Sequence, residues 1–140
     1  MRRTTASAVV ALVALVAAVT LPGTASAAGG TSPELGIETT GGVIDGGTGY
    51  PIVEGTVTCS EAARVRVSGD AVQFSSGAFG MFDAYVDCLP GGPVVWDAVL
   101  PHLTGAPFEP GELSVSTRAS AGAGGVERFD TVTLGFTLVG

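Results

Sequence analysis

Apolar and polar residues alternate with a period of two along much of the chain after residue 51, which is typical of half-buried β-strands. The longest alternating run, 78–88, ends at the strongest turn signal, two prolines and two glycines within residues 89–93. The pattern predicts strands at residues 35–40, 52–59, 64–68, 78–88, 94–100, 112–119 and 127–139. No stretch after residue 27 has the 3.6-residue apolar period of an amphipathic helix, so we expect an all-β fold.

Short strands separated by turn signals favour two antiparallel sheets packed face to face, as in an immunoglobulin-like β-sandwich of about seven strands. We assign this sandwich to residues 51–140. Residues 28–50 are rich in glycine, threonine and serine, and we expect a loose leader with one weak edge strand at 35–40.

The third predicted strand is followed by a change of phase. Val65 and Val67 lie on one parity, whereas Val72 and Phe74 lie on the other, with Gly69 between the two pairs. We expect a bulge or a tight turn near Gly69, because one extra residue inverts the faces of the residues that follow.

The first 27 residues have the three parts of a secretory signal peptide. Two arginines at positions 2–3 form a positive start, residues 8–19 form an uncharged apolar stretch, and Ala-Ser-Ala at 25–27 matches the A-x-A cleavage pattern. We expect cleavage after Ala27 and a secreted, extracellular product. The apolar stretch is too short for a membrane-spanning helix, and no second run of about twenty apolar residues follows it, so no membrane span is expected.

Cys59 and Cys88 are the only cysteines, and each ends a predicted strand on the apolar parity of that strand. In an exported chain, two cysteines placed in this way are expected to form a disulfide across the core. It closes a loop of about thirty residues and stabilises the fold by roughly 3–4 kcal/mol in the chain-entropy model. A redox pair would need the closer C-x-x-C spacing.

Without the signal peptide, the chain carries thirteen acidic residues against four arginines, a net charge of −9, and it contains neither lysine nor asparagine. Nucleic acid and anionic lipid surfaces are therefore poor partners, because both require a basic face. The absence of asparagine removes any N-glycosylation site. Lysine and asparagine use A-rich codons, so their absence indicates a GC-rich genome, such as that of an actinobacterium.

Several motifs occur in an order that resembles a known group of proteins. They are T-V-T-C at 56–59, V-R-V-S-G at 65–69, a strand that ends in Cys88, the strand of Trp96, and F-E-P-G-E-L-S-V at 108–115. The order resembles small secreted actinobacterial domains that are immunoglobulin-like and of unknown function. The resemblance covers about residues 52–139 and implies a sandwich and an exported protein, with no catalytic residues. Antibody domains differ, since their tryptophan lies between the two cysteines, whereas Trp96 follows both.

Residue types that catalyse reactions or bind metals are sparse. His102, the single histidine, lies in a proline-flanked loop without a nucleophile motif, and we interpret it as a solvated loop residue. One histidine and two cysteines fall short of the four ligands of a structural zinc site. We therefore expect no metal, no cofactor and no catalytic residue, and a protein that is not an enzyme.

Three carboxylates have to be weighed against that expectation. Asp83 and Asp87 share one face of a strand about 13 Å apart, which is too far for a glycosidase pair. Asp97, on the next strand along the chain, approaches either of them only if the two strands are neighbours. We interpret all three as separate solvated carboxylates, with a carboxylate-based hydrolase as an alternative.

Phe79, Met81 and Tyr85 lie on the parity opposite to Cys88. If that face is open, it is an apolar patch bordered by acids, and such patches mark binding surfaces. The other interpretation is a strand covered on both sides, with the N-terminal segment lying over it. The sequence favours neither of the two.

The function predicted from these observations is that of a secreted, non-enzymatic interaction or envelope-associated domain. A protein and a small apolar ligand are both open as its partner. The first alternative is a carrier of a small apolar ligand, similar to the chromoprotein apoproteins of actinobacteria, which are also small, acidic, exported sandwiches but usually have a second disulfide. The second alternative is the hydrolase.

Overall fold

The computed structural model describes residues 33–122 and 127–139. The predicted signal peptide, residues 1–27, and its cleavage point lie outside the described residues. Within them no helix is found that could span a membrane, and the regular elements are eight β-strands. These are β1 (Leu35–Asp45), β2 (Pro51–Cys59), β3 (Ala63–Gln73), β4 (Ala78–Cys88), β5 (Val94–Val99), β6 (Glu112–Ala121), β7 (Arg128–Gly135) and β8 (Thr137–Val139).

The strands form two four-stranded sheets, which confirms the predicted all-β, two-sheet fold. Sheet 1 has the order β5-β2-β1-β8, and sheet 2 has the order β4-β3-β6-β7. All neighbouring strands run antiparallel except β1 and β8, which pair in parallel over three residue pairs. Each sheet turns its apolar parity inward, so that one core lies between the sheets.

Two aromatic rings meet across this core. Phe82 of sheet 2 stacks on Trp96 of sheet 1, with ring centres 5.9 Å apart and planes inclined by 8°. The cross-strand partner of each ring is a glycine, Gly69 beside Phe82 and Gly55 beside Trp96. A Cβ atom on Gly69 would lie 2.5 Å from the Phe82 ring, and one on Gly55 would lie 2.6 Å from the Trp96 ring. The stack therefore requires both glycines.

Cys59 and Cys88 form the predicted disulfide, with their Cα atoms 6.2 Å apart. Cys59 ends β2 in sheet 1 and Cys88 ends β4 in sheet 2, so the bond joins the two sheets. Both residues are buried, as their position on the apolar parity predicts.

β1 is longer than the predicted strand 35–40, and it is not a weak edge strand of a leader. It continues to Asp45, pairs with β2 along its length and is flanked by β8 at its end. Its inner residues, including Leu35 and Ile44, belong to the core. The patterning is weak because a register shift between Thr39 and Gly41 inverts the alternation within the strand.

The bulge or turn predicted near Gly69 is wrong, because β3 pairs in continuous register with β4 from its first residue to its last. Val72 lies on the outer face, and Phe74 is 85% exposed just after the strand. The inward position is taken by Gln73, which is fully buried. Its amide accepts a hydrogen bond from the backbone N–H of Glu109 (2.8 Å) and donates one to the Glu109 carbonyl (2.7 Å). Because both polar atoms of its side-chain amide are hydrogen-bonded, this glutamine can occupy a buried position where the strand alternation predicts an apolar residue.

The single strand predicted at 127–139 divides into β7 and β8, which lie in different sheets. Between them Phe136 turns into the core, and its backbone N–H donates a hydrogen bond to the Gly111 carbonyl (2.9 Å). The alternation continues through this crossing, so it does not reveal the change of sheet.

Candidate binding surface

The outer face of sheet 2 combines exposed apolar side chains with arginines. Its members follow from the strand registers, because residues that alternate along a strand share a face. They include Phe79, Met81, Asp83, Tyr85 and Asp87 on β4, Arg64, Arg66, Ser68 and Asp70 on β3, Ser116 and Arg118 on β6, and Phe129 on β7.

The three residues predicted as a binding face lie together here. Met81 is 56% exposed and Tyr85 is 59% exposed, while Phe79 is half-buried. Phe79 is less exposed because the loop after β5 runs along the free edge of β4, where the Leu103 N–H donates a hydrogen bond to the Phe79 carbonyl (2.7 Å). The strand β1 lies in sheet 1, so this N-terminal strand does not cover the face. That the face binds a partner stays a prediction.

The three arginines of this face have two kinds of partner, a carboxylate and an aromatic ring. Arg66 donates hydrogen bonds to the carboxylate of Asp83, one of them from Nε at 2.8 Å, and this pairing raises the pKa of Arg66. The guanidinium of Arg64 lies 5.3 Å from the ring centre of Tyr85. The guanidinium of Arg118 lies 5.6 Å from the ring centre of Phe129. Two of the three cations therefore lie within cation–π distance of an aromatic ring.

A depression of about 600 Å³ crosses this face. Its polar lining comes from the arginines, serines and aspartates in the middle of the sheet, and its apolar lining includes Met81 and Phe129. Phe82, Val99 and Pro101 complete the apolar lining. The volume falls in the range of small-molecule sites, and the lining offers donors, acceptors and apolar contacts together.

The three candidate carboxylates do not converge. Asp83 is held by Arg66, and Asp87 lies opposite Arg64 in the register of β3 and β4. Asp97 lies on the outer face of sheet 1, opposite Glu54. Asp97 and Asp83 therefore point to opposite sides of the molecule. In the part of the chain that the structure describes, no three histidine, cysteine or acidic residues are grouped to hold a metal ion.

His102 is only partly solvated, which corrects its interpretation as a free loop residue. It forms an isolated bridge with Gly80 of β4, and its Nδ1 atom is buried. Its ring centre lies 5.3 Å from that of Tyr50. The loop that carries His102 packs against the edge of β4, and this fixes the histidine in a structural position.

Sequence reasoning missed Arg118, Phe129 and the two serines of the depression. Their parity was readable, since Phe129 is out of phase with the buried Leu134 and Phe136. Their proximity to Met81 was not readable, because it depends on the strand order β4-β3-β6-β7.

Comparison with protein-family models, with curated proteins and with solved structures gave no match to this chain. No residue role is therefore transferred from a relative.

Proposed function

We propose that this protein is an exported, non-enzymatic interaction domain and that the outer face of sheet 2 is its binding surface. The observation that supports this most is the exposure of Met81, Tyr85 and Phe129 beside arginines on one sheet face. The open face of an antiparallel sheet is ordinarily polar. Tyrosine, phenylalanine, methionine and arginine are the residue types that interfaces favour.

The exported location and the immunoglobulin-like identity of the fold belong to the same proposal. The location is supported by the signal-peptide pattern and by the disulfide, since such bonds persist in oxidising compartments. The identity is supported by two packed antiparallel sheets and by an inter-sheet disulfide in a core that also contains a tryptophan. The actinobacterial origin that the composition indicates makes the bacterial cell wall the partner to test first.

A carrier of a small molecule is the second candidate, and the depression of about 600 Å³ favours it. Arginine and aspartate side chains line that depression. Such a lining suits a ligand with a polar or charged group better than a purely apolar ligand. A purely apolar ligand would cover these charged side chains without giving them a partner.

The test compares binding of the mature protein and its variants to cell-wall sacculi purified from the producing organism. We expect the wild-type protein to sediment with the sacculi. Met81→Asp should reduce the bound fraction about tenfold or more, because it places a charge in the centre of the apolar contact. Val95→Asp is the matched control, since Val95 is similarly exposed (68%) but lies on the outer face of sheet 1.

Both variants change the net charge by the same amount, so a general effect of charge would reduce binding equally. Equal binding of Met81→Asp and Val95→Asp would contradict the assignment of the binding surface. A wild-type protein that stays in the supernatant would contradict the cell wall as the partner.

A further inference from the structure

We propose that the depression on the outer face of sheet 2 binds a small monocarboxylic acid with an apolar body, and that Arg118 pairs with its carboxylate. The inference rests on the proposed function, because it names the ligand class for the same face. It is supported by the absence of an anionic partner for Arg118 among the described residues, by the side chains around Arg118 and by the apolar lining of the depression.

Arg118 is a cation without an anionic partner among the described residues. The ion pair found in residues 33–122 and 127–139 joins Arg66 to Asp83, and the hydrogen bonds of the same region include none from Arg118. This is notable in a mature chain of net charge −9. The guanidinium lies over the ring of Phe129, which has no oxygen or nitrogen acceptor, so its N–H donors have no acceptor among the described residues. Free donors in that fork geometry match a carboxylate.

The neighbours of Arg118 complete a site for one negative charge. Ser68 is its direct cross-strand partner, and Ser116 lies two residues before it on the same face; both residues line the depression. The Ser116 hydroxyl also lies 3.4 Å from the hydroxyl of Thr131. Serine hydroxyls can donate hydrogen bonds to carboxylate oxygens of the ligand that Arg118 does not contact. Arg66 also lines the depression, but its charge is paired with Asp83, which accepts hydrogen bonds from its Nε and Nη2 atoms; Arg118 is therefore the cation of the lining without a paired carboxylate among the described residues.

The remaining lining residues indicate which chemical groups the ligand has besides its carboxylate. Met81 and Phe129, which are 56% and 62% exposed, offer apolar contact on both sides of the charged centre. Asp70 lies opposite Ser116 and faces the same depression. Its carboxylate repels a second negative charge, so the site favours a monocarboxylate over a dicarboxylate.

The experiment titrates the mature protein with 3-phenylpropionate and with 3-phenylpropionamide, which differ in charge but have the same apolar body. Met1 and Met81 are the two methionines of the chain, so one methyl NMR signal of ¹³C-methionine-labelled mature protein reports on the depression. We expect the acid to shift this signal with an affinity at least about tenfold higher than that of the amide, because a charge-assisted hydrogen bond is lost in the amide. Phenylsuccinate, a dicarboxylate, should bind more weakly than 3-phenylpropionate.

The variants Arg118→Gln and Arg64→Gln form a matched pair. Each removes one positive charge that lies over an aromatic ring, but Arg64 does not line the depression. We expect Arg118→Gln to remove the preference for the acid and Arg64→Gln to keep it. Native circular dichroism of both variants checks that they are folded.

Three outcomes would overturn the inference: equal affinity for acid and amide, equal loss in both variants, or no shift of the Met81 signal by the acid. If any of these is found while Met81→Asp still abolishes sedimentation with sacculi, the ligand class is wrong and the binding surface stands. If the acid binds through Arg118 while sacculi binding is absent or unaffected by Met81→Asp, the small-molecule site is supported and the cell wall is rejected as the partner of this surface.

Discussion

At the scale of single residues, Asp45 shows how a carboxylate stabilises a turn. Its Oδ1 accepts a hydrogen bond from the Gly47 N–H (3.0 Å), and its Oδ2 accepts one from the Thr48 hydroxyl (2.8 Å). These bonds, chiefly the one from Gly47, favour the ionised form and lower the pKa of Asp45 below its ordinary value of 3.8. The stability of the turn between β1 and β2 therefore depends on pH.

A group with a lowered pKa stabilises the fold above its unfolded pKa, and this stabilisation is lost as the pH falls through the lower folded value. We predict that Asp45→Asn lowers the free energy of unfolding at pH values above 3.8. The difference in this free energy between variant and wild type should shrink as the pH falls below 3.8. Urea unfolding followed by the fluorescence of Trp96, the only tryptophan, measures both. A difference that is constant across this pH range would contradict the role of the charge.

At the scale of strands, the alternation predicted β4 and β5 closely and predicted the face that each turns to the core. It did so because both strands have a simple register and clear turn residues around them. It failed where the fold departs from a simple apolar period. The register shift in β1 depends on its pairing with β2, and the buried Gln73 and the crossing at Phe136 depend on contacts with the loop before β6.

The candidate site was predictable to the same extent. The parity of β4 is local information, and it identified Phe79, Met81 and Tyr85 as one face. The partners of that face come from β3, β6 and β7, which approach β4 only after the sheet order is set. Arg118 and Phe129 could not be placed beside Met81 for this reason.

The pairing of β3 with β4 gives a prediction at this scale. Gly69→Ala should destabilise the protein by about 1–3 kcal/mol, because its Cβ atom would collide with the Phe82 ring and with the backbone of β6. Gly135→Ala in β7 is the control; nothing lies within 4 Å of its Cβ position, and a change within about 0.5 kcal/mol is expected. Denaturant unfolding of both variants checks this, and equal stabilities would show that the Phe82–Trp96 stack does not need the space beside Gly69.

At the scale of the whole molecule, the two outer faces differ in charge. The outer face of sheet 1 carries Glu38, Glu54 and Asp97, the last two directly opposite each other. The outer face of sheet 2 carries three arginines among its aspartates and its exposed aromatic rings. The acidic face repels anionic surfaces, whereas the mixed face offers both signs of charge and apolar contact. This asymmetry also favours sheet 2 over sheet 1 as the binding surface.

Amide NMR mapping with soluble peptidoglycan fragments, released from the same sacculi, tests that assignment most directly. The protein without residues 1–27 is labelled with ¹⁵N, and the shift of each backbone amide is followed as the fragments are added. We predict that the largest shifts cluster at Met81, Tyr85 and Arg118 on the outer face of sheet 2. Shifts that cluster instead at Val95 and Asp97, on the outer face of sheet 1, would contradict it.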